Sequence, residues 1–265
     1  MSKTILIHIA VLKLLCQRSI KILRMEKRNF YLFLLAFIAG TVLNIFVLHT
    51  AFRNIPYIQG WNFYNVLALL ATYRLCKGIF STFIGSNLEK LTNIIRKGKL
   101  DLFLIKPASG WFLMYFSEVD LARITDLITG LFLLIYTLFF IQWQWWTLIL
   151  YFFAFIIGLI LMTCTYLIIS MTAFLDMREA GVDFIDKLIR STSRFPLRFA
   201  SDTIQFLLTW ILPFMYLSTI PVEVLENRTN IIATFSSALA ICAIYIFLTS
   251  YLWKKGLQHY SSASS

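Results

Sequence analysis

The sequence predicts an all-α polytopic membrane protein with six transmembrane helices, both termini cytoplasmic, and an N-terminal amphipathic helix at the interface. Three observations predict it. Apolar residues make up 59% of the 265 residues and charged ones only 14%. Soluble domains carry roughly a quarter charged residues, so no soluble fold gives this chain a solvated surface. The apolar residues also fall in runs long enough to cross about 30 Å of hydrocarbon as helix. The cations, finally, are segregated. All Lys and Arg except Arg53, Arg74, Lys77, Arg123 and Arg228 lie in the N-terminal segment, in two long polar stretches, or in the tail. Cationic segments stay cytoplasmic, and only Arg53 and Arg228 fall in the alternate loops, so both termini are placed inside.

Residues 1–29 read as a cytoplasmic basic helix. Ile5, Ile9, Leu12, Cys16, Ile20 and Leu23 recur at helical spacing among cations, with Glu26 the one acid. That pattern suits a helix lying on a membrane surface, and its charged region is too long for a cleavable signal peptide. The transmembrane domain covers 30–253. Span 1 is 30–50. Span 2, 61–84, opens on the interfacial aromatic Trp61 and carries Arg74 and Lys77. Span 3, 121–141, ends at the belt Trp143, Trp145 and Trp146. Span 4 is 147–172, span 5 is 203–220 with Pro213 inside it, and span 6 is 231–253. The polar stretches 85–110 and 173–202 are cytoplasmic, and 254–265 is a cytoplasmic tail.

Charge inside a span is costly and marks function. Arg74 and Lys77 lie three apart on one helix face, and the apolar run after them in span 3 is short enough to draw Arg123 and Asp126 to a similar depth. These four form a candidate intramembrane charge cluster. Three arrangements are open: Arg74 and Lys77 snorkel to lipid phosphates, they line a cavity and attract an anion, or Arg74 pairs with Asp126. The acids Asp176, Glu179, Asp183 and Asp186 are interleaved with Arg178, Lys187 and Arg190, at spacing that suits salt bridges within a helix.

No phosphate-binding loop, His-Glu-x-x-His helix, Gly-x-Ser-x-Gly elbow or Cys-x-x-Cys occurs. Cys16, Cys76, Cys164 and Cys242 are dispersed, as are the three histidines, so neither a metal site nor a disulfide framework is expected. The net charge of +11 has no nucleic-acid fold attached to it. The strongest local signal is the stretch 86–107. Ser86 and Glu89 form a capping box, Leu88, Leu91, Ile94 and Ile95 give one apolar face, and Gly98 stops the helix. This predicts a short amphipathic helix that docks its apolar face on a cytoplasmic partner.

The run IRKGKLDLFLIKP, with Gly98, Leu100, Asp101, Leu104, Lys106 and Pro107, resembles the signature of type-2 ABC exporter permeases. Two more segments agree in order: Gly60-Trp61 opening span 2, and RFPL (Arg194 to Leu197) ahead of a proline-containing span and Ile220-Pro221. Phe174-Leu175 departs from the Phe-Trp common there. The resemblance spans nearly the whole chain. It implies a six-span permease subunit that pairs as a homo- or heterodimer in the bacterial cytoplasmic membrane, among membrane lipids. Separate cytoplasmic ABC ATPase subunits would hold the ATP and Mg, and this chain would hold no cofactor and have no enzyme activity of its own. Leu88, Glu89, Leu91, Ile94, Arg96, Gly98 and Asp101 become the expected ATPase-coupling residues. The competing readings are a secondary, ion-coupled carrier, which requires coupling-ion residues within the spans, and a membrane-bound lipid-modifying enzyme built on the acids after span 4.

Overall fold

The computed structural model describes residues 13–21, 24–25, 27–97, 100–101, 118–171, 174, 186–189 and 196–259. Its described residues are almost all helical. Helix α1 covers 13–21, and α2 runs Lys27–Asn54. A tight turn at Gln59 and Gly60, both at positive φ, is closed by reciprocal backbone hydrogen bonds between Ile58 and Trp61 (3.0 and 2.9 Å). Asn62 then caps α3, Phe63–Phe80, by accepting from the Asn65 amide at 2.9 Å.

The structure departs from the sequence reading at the end of α3. No cap separates it from the next helix. A π-helical turn, Ser81–Gly85, leads directly into α4, Ser86–Arg96, and Gly85 and Ser86 both keep right-handed helical backbone. Ser86 is thus inside a helix, and the capping box expected from it does not start one, because a cap residue must leave helical φ/ψ. The stop assigned to Gly98 lies outside the described residues; α4 ends at Arg96. The helical stretch Phe63–Ile95 has 33 residues, about 50 Å at 1.5 Å per residue, well beyond the ~30 Å of a hydrocarbon core.

A 3-10 turn, Leu121–Arg123, opens α5, Ile124–Leu138; α6 is Trp145–Met171, and the last helix, α9, is Ile231–His259. Between α6 and α9 come α7, Asp202–Phe206, and α8, Thr219–Leu225. Helices α3 and α5 touch most closely. A Cβ on Gly130 would lie 2.7 Å from the Leu75 nitrogen, and one on Gly78 would strike the Leu127 backbone. Small residues on both helices admit this approach, as in membrane helix pairs generally. Two apolar cores result. One lies at the loop end of the bundle, around Trp61, Val66, Tyr151 and Val222. The other lies toward the end that holds α1, α4 and the last turns of α9, around Phe80, Leu88, Leu161 and Tyr216.

Five described helices are long and apolar enough to cross a membrane: Phe30–Asn54, Phe63–Ile95, Leu121–Leu138, Trp145–Met171 and Ile231–Gln258. The predicted fifth span, 203–220, is not one straight helix. It folds as a hairpin. The first arm is α7 continued by a π-helical turn, Leu207–Ile211; the chain then bends at Leu212 and Pro213, and the second arm is a 3-10 turn, Phe214–Leu217, followed by α8. Proline explains the break. It has no N–H to donate and pushes the residue before it out of the α region, and Leu212 is extended at φ −120, ψ 97. The second arm is buried from Pro213 to Leu225. It fits against α6 because Gly158 leaves room for the Tyr216 carbonyl. The tip contacts α9, where the Tyr245 hydroxyl donates to the Ile211 carbonyl.

The hairpin also revises the topology. The sequence places Arg198 in a cytoplasmic stretch and Glu223 in an opposite loop. Arg198 grips Glu223 through two hydrogen bonds, Nε to Oε1 at 2.7 Å and Nη2 to Oε2 at 2.9 Å. Glu226, three residues on, accepts from Asn65 at the start of α3. Both ends of the hairpin therefore sit at the loop end of the bundle. Asp186 pairs with Lys77, about 21 Å further along α3 from Phe63. Among the described residues, 186–189 and 196–199 therefore lie at different levels of the bundle.

Candidate functional site

A partly open cavity of about 600 Å³ lies between α2, α3 and the start of α5. Helix α3 contributes Arg74, Lys77 and Ser81 to its wall. The facing wall is Asp120, Arg123 and Asp126, and α2 contributes Phe37 and Asn44. The α5 wall is built locally. Asp120 accepts from the Ala122 amide at 3.2 Å and so caps the 3-10 turn, and it accepts from Arg123 Nε at 3.0 Å. Asp126 stands in the first turn of α5, where the helix dipole favours a carboxylate. The Asp120 amide in turn donates to the Thr82 carbonyl at 2.9 Å, tying this wall to the π-helical turn.

Arg74 Nη1 lies 3.6 Å from Asp126 Oδ1, with Arg74 buried, and its guanidinium stands 4.8 Å from the centre of the Phe37 ring. Lys77 forms an ion pair with Asp186, which also accepts from the Tyr166 hydroxyl at 2.7 Å. Three elements distant in sequence thus meet in one network: α3, α6 and the short helical turn at 186–189.

Below the cavity, α4 turns its apolar face inward. Leu88, Leu91 and Ile95 are almost completely buried in the chain's own core, and Ile94 packs beside them. Lys90, Asn93 and Lys97 lie on the exposed side. Asn87 ties α4 to the strand of chain ahead of α5, donating to the Glu118 carbonyl and accepting from the Glu118 amide, both at 2.9 Å. Lys90 pairs with the Glu118 carboxylate.

The model of the ABC-2 family transporter proteins matches residues 37–264. The chain belongs to the ABC-2 transporter family. No curated protein and no solved structure matches it. This ABC-2 chain is therefore the membrane component of a transporter, made of apolar membrane-crossing helices.

Within the ABC-2 chain, all four members of the expected charge cluster line one cavity, and Arg74 faces Asp126. Of the expected coupling residues, Leu88, Leu91 and Ile94 turn toward the bundle. The expectation that this apolar face fills a partner's groove is corrected: its area is already covered from within, by residues such as Phe80 and Leu167. Glu89 and Arg96 belong to α4, Asp101 is half-buried, and Gly98 lies outside the described residues. Sequence reasoning missed Asp120 and Tyr166, and it missed Lys77 as a partner of Asp186. Asp186 and Lys77 are 109 residues apart, and no periodicity encodes such a pair.

Proposed function

We propose that this chain is the permease subunit of an ATP-driven ABC-2 exporter, forming the translocation path as a dimer and driven by separate cytoplasmic ATPase subunits. One observation carries the reading. The helix that lines the charged cavity continues through the π-helical turn into α4, so Arg74, Lys77 and the exposed residues Lys90 and Asn93 stand on one continuous helical stretch, with exposed Lys97 just past its end. A push on the exposed face of α4 by a partner moves the wall of the cavity. π-Helical turns occur often at functional sites, and this one sits where the helix leaves the expected hydrocarbon core. The cation segregation along the sequence supports a cytoplasmic position for α4.

The chain has no nucleotide-binding motif, so ATP hydrolysis would come from the partners. Purified alone and reconstituted in liposomes it is expected to hydrolyse no ATP. Co-expressed with the ATPase encoded beside it, it is expected to co-purify and to give ATPase activity sensitive to substitutions on the exposed face of α4. Robust hydrolysis by the chain alone overturns the reading, as does failure to bind any ATPase.

A further inference from the structure

A second cavity, of about 430 Å³, lies between α6 and α9. Leu159, Ile160 and Ile246 give it apolar walls, and Ile84 of the π-helical turn borders it. Ile160 and Ile246 are themselves exposed, so the cavity opens on the outer surface of the bundle. Counted from Trp145, Ile160 and Cys164 stand roughly 22 and 28 Å along α6. The cavity therefore sits in the half of a ~30 Å hydrocarbon core farther from the tryptophan belt. Two of the hydroxyls on its walls are engaged. Thr163 donates to the Leu159 carbonyl at 2.8 Å and Thr249 to the Tyr245 carbonyl at 2.7 Å. A hydroxyl that donates within its own helix keeps no proton for a ligand, so these walls suit hydrocarbon.

Polar groups gather toward one end. Ser250, half-buried in the wall, makes no hydrogen bond to any described residue. Ile246, Ser250 and Lys254 recur every fourth residue and so form one stripe along α9. The stripe leads from the apolar wall to a cation about 12 Å further on. Lys254 is exposed and pairs with no carboxylate among the described residues; Lys255 follows it, and α9 contains no acid. Tyr251, exposed beside Ser250, is the amphipathic aromatic that suits the level where hydrocarbon gives way to headgroups. A ligand with an apolar tail and an anionic head matches that order of walls. We propose that this cavity holds an acyl chain of an anionic phospholipid, with the lipid phosphate at the Ser250 hydroxyl and the Lys254 ammonium. Through Ile84 the bound chain touches the π-helical turn, which is the joint between α3 and α4.

The test uses the full chain in nanodiscs, without ATP or partner, so its failure leaves the exporter reading standing. Phosphatidylglycerol carrying a diazirine in one acyl chain is photolysed, and the labelled peptides are mapped by mass spectrometry. Adducts are expected on 159–164 and 246–250. Uniform labelling of the exposed faces of α2 and α9, as surrounding lipid alone would give, overturns the proposal. Native mass spectrometry then compares phosphatidylglycerol with phosphatidylcholine of identical acyl chains. The unaltered chain is expected to prefer phosphatidylglycerol about fivefold, the share of one cation beside an anionic headgroup. Lys254→Gln is expected to remove that preference and leave phosphatidylcholine binding as it was. Thr163→Phe fills the cavity and is expected to lower the occupancy of both lipids while keeping their ratio. Lys254 is exposed, so its variant should fold even if Thr163→Phe does not. Equal binding of the two lipids by the unaltered chain, an unchanged ratio in Lys254→Gln, or undiminished occupancy in a folded Thr163→Phe each overturns the assignment.

Discussion

Asp126 and Arg74 approach from different helices at the same depth, and each is costly to leave without the other. Removing one partner of a buried ion pair leaves an uncompensated charge. Asp126→Asn is therefore expected to lower thermal stability, and adding Arg74→Gln is expected to restore part of the loss. Interhelical polar contacts in membranes have modest coupling, so the double-mutant cycle should return about 0.5–1.5 kcal/mol; additive losses would mean that the two do not interact. Their shared depth was legible in the sequence because it can be counted along a helix, inward from Trp61 for Arg74 and from the short apolar run of α5 for Asp126; the pairing was only one of three arrangements that the sequence left open. The Lys77–Asp186 pair was not legible, since Arg178, Lys187 and Arg190 offered Asp186 nearer partners in sequence and nothing in the spacing points to a residue on α3. At the loop end, burial pushes the Glu226 carboxyl above its usual range, while Arg228 at 2.5 Å and Asn65 pull it back. A carboxyl raised on folding destabilises the fold where it is ionised, so its stability contribution falls as pH rises through the carboxylate range. Glu226→Gln is expected to raise the melting temperature at neutral pH, and the gain should vanish on acidification. A gain that persists in acid would show that ionisation is not its cause.

Helix α4 shows what an amphipathic pattern tells and what it withholds. The period correctly marked the face of Leu88, Leu91 and Ile94 as buried, but it does not say against what, and the chain's own bundle covers it. Leu91→Asp is accordingly expected to prevent accumulation of folded protein, since an unpaired buried carboxylate costs at least about 3 kcal/mol. Lys97→Glu, on the exposed side, should change stability by no more than about 0.5 kcal/mol and yet reduce stimulated ATPase activity with the partner. Size-exclusion profiles and coupled ATPase assays on the two variants separate the faces. A well-folded, merely uncoupled Leu91→Asp would return the apolar face to the partner. The missing break before α4 has a similar lesson: Ser86 and Glu89 have the spacing of a cap, but spacing alone does not make the backbone leave the helix. Pro213, in contrast, was legible as a break because its effect is covalent, although the sequence did not show that the chain would double back there.

For the molecule as a whole, membrane crossing was legible from composition and from the runs of apolar residues, and the order of α2, α3, α5, α6 and α9 follows it. A straight fifth span was expected there because apolarity marks burial in protein and burial in lipid alike: residues 213–220 are buried in the bundle, whereas Ile204, Phe206, Leu207, Trp210 and Ile211 of the first arm stay exposed. The hairpin topology is open to measurement. Cysteines introduced at the exposed positions 202, 227 and 97 and treated with an impermeant thiol reagent should label from one side at Asp202→Cys and Asn227→Cys, and from the other at Lys97→Cys. Labelling of 202 and 97 from the same side would restore a straight fifth span. The hairpin also constrains how the protein is made. Non-helical backbone at membrane depth is tolerated only when protein or water surrounds it, and the tip at Leu212 and Pro213 depends on α9 for part of that cover: Tyr245 bonds to Ile211, and Ser237 to Tyr216 at 3.2 Å. Both come from a helix synthesised afterwards. A chain emerging from the ribosome has finished the hairpin before one of its walls exists, so residues 202–225 cannot settle until α9 has been inserted, and the last crossing to be translated completes a fold begun well upstream of it.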